Sequence, residues 1–142
     1  LTAWAPPGVA NAAELHLVVH GLSKHPYGKR NSGRPYEEVN PGLGLSLRGE
    51  SDFGIQAGAL HNSYDRTTVY LIGEWTPATV IGVRAGLFAG LASGYPHNHH
   101  RFGPGGGVFL RAQGERLSAT LRFVPPIGPV SGCFGIEVAM RL

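Results

Sequence analysis

Apolar and polar positions alternate with a period of two along most of this chain, in stretches separated by Gly, Pro and charged residues. That period belongs to strands with one buried face, and a helix would repeat every three to four residues instead. Leu15, Leu17 and Val19 alternate with His16, Val18 and His20. Leu43, Leu45 and Leu47 alternate with Gly42, Gly44, Ser46 and Arg48, and Phe53, Ile55, Ala57 and Ala59 with Gly54, Gln56 and Gly58. A fourth stretch runs over 67–76. The fifth sets Val83, Ala85, Leu87, Ala89 and Leu91 against Arg84, Gly86, Phe88, Gly90 and Ala92. Three more follow over 107–113, 117–124 and 134–142, the last with Phe134, Ile136, Val138, Met140 and Leu142 opposed to Gly135, Glu137, Ala139 and Arg141.

An even number of such strands, each with an apolar face opposed to a small or polar one, predicts an all-β fold: an eight-stranded antiparallel up-and-down transmembrane β-barrel. The connections alternate too. Longer or more polar ones fall after strands one (25–38), three (62–66), five (94–104) and seven (125–132), and shorter ones at 49–52, around Pro77 and at 114–115. In an up-and-down barrel the odd-numbered connections share one rim, so the long loops gather at the outer end. The competing arrangement is a soluble lipocalin-like ligand-binding barrel, which has the same period with its apolar face turned inward. Gln56, Arg122, Glu137 and several glycines on the second face suit a lumen better than a wetted surface.

Composition narrows the picture further. The 142 residues suffice for one domain, and 22 Gly and 11 Pro imply many turns. No run reaches the roughly 18–20 apolar residues of a spanning helix, so a membrane role requires strands or a surface anchor. The net charge of +3 is scattered over the chain without a basic stripe, which argues against nucleic acid and leaves anionic lipid headgroups as partners. Cys133 has no second cysteine to pair with and reads as a small buried or lipid-facing residue. Residues 1–12 close on Ala10-Asn11-Ala12, which fits a small-x-small cleavage site; they read as a signal-peptide remnant or disordered leader before a single barrel domain over 13–142. Export of one monomeric barrel to a bacterial outer membrane is the expectation.

Polar residues able to do chemistry gather at the outer rim: His20, His25, His61, His97, His99 and His100, with Glu38, Asn62, Ser63 and Asp65. A serine hydroxyl is a weak nucleophile until a base takes its proton, and imidazole is the usual base near neutral pH. His20 ends strand one and Ser63 follows strand three, so a narrow barrel would bring them near each other across the lumen. Hydrogen bonding within loops is the plainer role for the same residues. The run His97-Asn98-His99-His100 has no cysteine or carboxylate near it in sequence, so it reads as a solvated loop, with no metal expected. Tyr70, Trp75, Tyr95 and Phe102 near strand ends suit either interfacial anchors or ordinary sheet aromatics.

These residues, taken in order, resemble the lipid A palmitoyltransferase (PagP) family. The resemblance runs through His20, Tyr36-Glu37-Glu38, Gly42-Leu43-Gly44-Leu45, His61-Asn62-Ser63-Tyr64 and Phe123-Val124-Pro125-Pro126. That family has a His ending strand one, Tyr-Asn-Glu before a Gly-rich second strand, Asp-Ser ending strand three and a late Tyr-Ile-Pro. The resemblance implies an acyltransferase without a cofactor that moves an acyl chain from a phospholipid to lipid A (lipopolysaccharide) or a related acceptor and holds the chain inside the barrel. It places His20, Ser63 and Asn62 in the catalytic positions and Tyr36, Glu38, Tyr64 and Asp65 in binding ones. Asn62 stands where the family has Asp, so Asp65 or Glu38 would have to supply the negative charge that steadies an imidazolium. A non-catalytic outer-membrane barrel with a binding or structural role is the alternative. Strict alternation also turns Asn62 inward and Ser63 outward.

Overall fold

In the computed structural model, which describes residues 13–27, 33–49 and 51–142, eight antiparallel strands close into a barrel in the order β1 to β8. They are β1 (Glu14–Lys24), β2 (Val39–Arg48), β3 (Phe53–His61), β4 (Thr67–Val80), β5 (Val83–Ala92), β6 (Gly103–Gln113), β7 (Leu117–Val124) and β8 (Cys133–Arg141). Residues 1–12, read as a leader, lie outside the described residues. Each strand pairs with its sequence neighbour, and β1 with β8 closes the ring through pairs such as Val19↔Val138 and Leu17↔Met140.

The barrel is inside out relative to a soluble protein. Leu43 is 60% exposed, and Leu45, Ile55, Leu71, Leu87, Leu110, Ile136 and Val138 are also exposed around the outside. Gln56 is 1% exposed and Glu137 3%, and Ser46, Arg48, Glu74, Arg111, Ser118 and Thr120 are likewise buried within. Because a slip of one residue would swap these two faces, the apolar pattern fixes the register of every strand. An apolar belt around closed strands is a surface that lipid solvates, since closure of the barrel pairs nearly all of the backbone. The soluble alternative, with its apolar face inward, does not fit this arrangement.

Two strands are longer than their patterns suggest. β4 runs past Pro77 to Val80, because the register shift between Trp75 and Ala78 absorbs the proline in an irregularity. The turn then falls at Ile81 and Gly82, both with positive φ (51° and 74°), as a tight hairpin requires. β6 begins at Gly103 rather than near Gly107, and its first residues pair with β5 from Ala92↔Gly103 to Phe88↔Gly107. Its pairing with β7 starts only at Val108↔Phe123. Gly103 to Gly107 are therefore a local edge, where Pro104 is tolerated.

The lower half of the lumen is filled. Arg111 Nη2 donates to both carboxylate oxygens of Glu74 at 3.0 and 2.9 Å, and its Nε donates to Thr120 Oγ1 at 3.0 Å. Arg122 Nη2 bridges Glu74 and Glu137, the latter at 2.7 Å. Arg48 donates to Ser46 Oγ at 3.1 Å and Ser118 Oγ at 2.8 Å. Arg111 lies over the Phe109 ring and Arg122 over Phe88. Buried charges are costly unless paired, and Arg111 and Arg122 are paired with Glu74 and Glu137, whereas Arg48 has hydroxyl partners and its Nη2 is left unpartnered. The upper half of the barrel is left open above them.

Candidate functional site

Above that plug a cavity of about 430 Å3 occupies the long-loop end of the lumen, within the roughly 300–1,000 Å3 range of small-molecule sites. Ile72, Phe88, Leu60 and Val124 give it apolar walls, Gln56, Arg122 and Glu137 line its polar floor, and His25, Ser63, Tyr95 and His97 line it towards the loops. Pro104, Gly105 and Gly106 from β6 and Val124 and Pro125 from the β7 side also line it. That is the stretch where β6 and β7 are not paired. The wall beside the cavity therefore lacks β6–β7 strand pairing over 103–107.

A chain of aromatic rings runs around the mouth. His25 stacks on Tyr36 with ring centroids 4.1 Å apart, Tyr36 meets Tyr64 edge-on at 5.5 Å, Tyr64 meets Tyr95 at 6.0 Å, and Tyr95 stacks on His97 at 5.7 Å. It ties together the loops after β1, β3 and β5. Burial holds His25 below the usual imidazole range, opposed in part by Glu38. Burial and a hydrogen bond with Tyr36 push Tyr64 up to about 12, and burial likewise raises Tyr95. Burial thus favours the uncharged forms of His25, Tyr64 and Tyr95 within the collar.

The structure places the catalytic residues suggested by sequence on two levels. His20, from β1, lines the cavity with Nε2 2.6 Å from Tyr70 Oη and Nδ1 3.4 Å from Glu137 Oε2. The carboxylate beside the imidazole is thus Glu137, and neither Asp65 nor Glu38. Asp65 lies 3.0 Å from His61 Nε2, and Glu38 pairs with Lys24 at 3.0 Å. Ser63 is 8% exposed rather than turned outward, because it falls in the turn after β3 where the pleat has ended. Its Oγ lies 3.3 Å from Ser23 Oγ, which donates to Asn40 Oδ1 at 2.5 Å. A register shift between His20 and Leu22 changes the phase of β1 and brings Ser23 to the cavity.

Asn62 does point inward, and its role there is structural. Its Oδ1 accepts from the backbone N–H groups of Tyr64 and Arg66, and its Nδ2 donates to Thr68 Oγ1 and Gly94 O, both at 2.9 Å. It holds the turn that presents Ser63. Tyr36 and Tyr64 belong to the aromatic collar. Tyr70 is no interfacial anchor, since it is buried in the lumen, and Tyr95 lines the cavity; Trp75, stacked on Phe53, and Phe102 are the exposed members of that set. Cys133 lines the cavity at the start of β8.

Tyr70 and Glu137 are the residues that sequence reasoning missed as partners of His20. The period of two put Glu137 on the lumen face, but only the closure of β1 on β8, with His20↔Glu137 as direct partners, reveals the contact.

No family model matches the chain, and no curated protein matches it. Among solved structures it is similar to a barrel reported under the de novo design of transmembrane β-barrels. That match has a TM-score of 0.63 and 11% identity over 93% of this chain and 97% of that one. It is also similar to the solution NMR structure of the de novo designed TMB2.3, with a TM-score of 0.67 and 10% identity over 95% and 98%. A further match is the Yersinia pestis outer membrane protein Ail in a phospholipid bilayer nanodisc, with a TM-score of 0.47 and 10% identity over 91% and 99%. The fold is that of eight-stranded transmembrane β-barrels.

Proposed function

We propose that this barrel resides in a bacterial outer membrane and is an acyltransferase that moves an acyl chain from a phospholipid to lipid A or a related acceptor. The observation that carries the reading is the cavity, with apolar walls, a polar floor and a stretch of wall without β6–β7 pairing that would serve as a lateral slot from the apolar belt. An acyl chain entering sideways from the bilayer would exchange lipid contacts for the walls of Ile72, Phe88 and Val124, with the ester near the polar groups. His20 supplies the base. Ser63, with Ser23, offers hydroxyls near the mouth to the ester or headgroup, and Asn62 shapes the turn that carries Ser63. Tyr36, Glu38, Tyr64 and Asp65 lie in the loops that an acceptor sugar would meet. The family resemblance in the order of these residues supports the same chemistry, and no step calls for a cofactor.

One observation favours the rival reading, a barrel that holds a chain without chemistry: Ser63 Oγ rests against Ser23 and not against His20. The two readings separate in the lipids themselves. Mass spectrometry of lipids from cells with and without the protein should reveal lipid A, or another acceptor, heavier by one acyl group, together with lysophospholipid. Unchanged lipids would refute transfer and leave binding.

A further inference from the structure

The hydrogen bonds around His20 run in one direction. Arg122 can only donate, and its Nη2 donates to Gln56 at 3.3 Å, so that atom of the Gln56 amide is the oxygen. Gln56 Nε2 then donates to Tyr70 Oη at 3.1 Å and to Glu137 Oε2 at 3.2 Å. With its oxygen accepting from Gln56, Tyr70 is free to donate its own proton to His20 Nε2 at 2.6 Å. The imidazole proton is left on Nδ1, which faces Glu137 Oε2 at 3.4 Å. The chain of groups is hydroxyl, imidazole, carboxylate, the order that lets an imidazole accept a proton and have its charge steadied. Space for this is built into the backbone: a Cβ added to Gly44 would come 2.5 Å from Tyr70 Oη, and one added to Gly58 2.8 Å. Tyr70, His20, Gln56 and Glu137 all line the cavity.

We propose that Tyr70 is the hydroxyl through which His20 acts on substrate, with Glu137 as the positioning residue; this rests on the acyl-transfer reading above. As the acceptor hydroxyl oxygen bonds to the ester carbonyl carbon, its proton passes to Tyr70 Oη while Tyr70's own proton passes to His20 Nε2. The imidazolium so formed faces Glu137. When the tetrahedral intermediate collapses, the bond from the carbonyl carbon to the donor's alcohol oxygen breaks. That oxygen takes a proton from Tyr70, which recovers one from His20. Nothing is oxidised or reduced, and the ester count is unchanged. Ser63 is not needed for proton transfer on this route.

The test uses the full chain refolded into vesicles of phosphatidylethanolamine and lipid A, with 15N-labelled histidines. The unmodified barrel should transfer acyl groups and show His20 as the Nδ1–H tautomer. Tyr70→Phe, which keeps the ring, should lower kcat by about 100-fold or more with little change in KM, in the range of general acid–base contributions. Glu137→Gln should displace the acid limb of the pH–rate profile, and Ser63→Ala should leave that limb in place. Transfer undiminished in Tyr70→Phe would overturn the relay and leave the acyltransferase standing. Loss of transfer in every form, the unmodified one included, would instead overturn the function and the relay with it. If Tyr70→Phe does not fold, the tautomer decides alone: a His20 proton on Nε2 in the unmodified barrel would contradict the relay.

Discussion

Asn62 accepts two backbone N–H groups of its own turn on its oxygen and donates both amide protons, to Thr68 in β4 and to Gly94 in the loop after β5. Read as a family position with its carboxylate replaced, it invites Asn62→Asp as a change that restores chemistry; the structure predicts the opposite. An aspartate would lose both donations and set a carboxylate against the carbonyl of Gly94. The expected cost is about 1–3 kcal/mol, as for other buried groups deprived of partners, measured as a lower urea midpoint in micelles. Stability equal to that of the unmodified barrel would contradict this role. His25 gives a second prediction at the same scale. Burial depresses its folded-state pKa, so the rim favours the neutral ring. That contribution is fully present above the ordinary histidine value of about 6.5 and is lost as pH falls through the depressed one. The urea midpoint in micelles should therefore fall between pH 7.5 and pH 5, and His25→Gln should reduce the change. An identical pH dependence in His25→Gln would argue against it.

At the scale of the strand, the β6–β7 edge is where the barrel departs from uniform pairing. Gly105 has open space around the position of a side chain, so Gly105→Trp should narrow the slot without breaking the fold. Acyl transfer should fall at least tenfold while the unheated gel band stays compact; unchanged transfer would mean that the chain enters elsewhere. The strands themselves were legible, because one buried face writes a period of two into the sequence and a closed barrel repeats it around the ring. The alternation of long and short connections was legible as well, from their Gly, Pro and polar residues, although the fourth falls at Ile81 and Gly82 and not around Pro77. What sequence could not supply was phase: the shift after His20 that turns Ser23 inward, and the end of the pleat that turns Ser63 inward with it. It also could not supply the lateral neighbours of His20, since Tyr70 and Glu137 come from other strands and meet it only when the sheet closes. Gly103 to Gly106 do not read as strand because glycine is a turn residue as well as one that allows strands to approach closely.

The whole molecule presents apolar side chains outward and polar ones inward, and that inversion makes the bilayer part of its folding. Refolding should need micelles or vesicles, and Val138→Arg, on the outer face, should cost about 2–4 kcal/mol if it lies near the bilayer midplane; a stable detergent-free monomer would refute the membrane reading. The filled lower lumen predicts a barrel that does not conduct ions, with the open upper end given over to a ligand. On the proposed function that ligand is one acyl chain drawn from the surrounding lipid into the lumen. The most direct measurement reconstitutes the barrel in phospholipid whose acyl tip carries a diazirine, irradiates it and maps the labelled peptides. Outward residues such as Leu71 and Leu87 will be labelled by bulk lipid in any case. The account predicts additional labelling of the inward-facing Ile72 and Phe88, lost in Gly105→Trp; labelling confined to the outward-facing residues would contradict it.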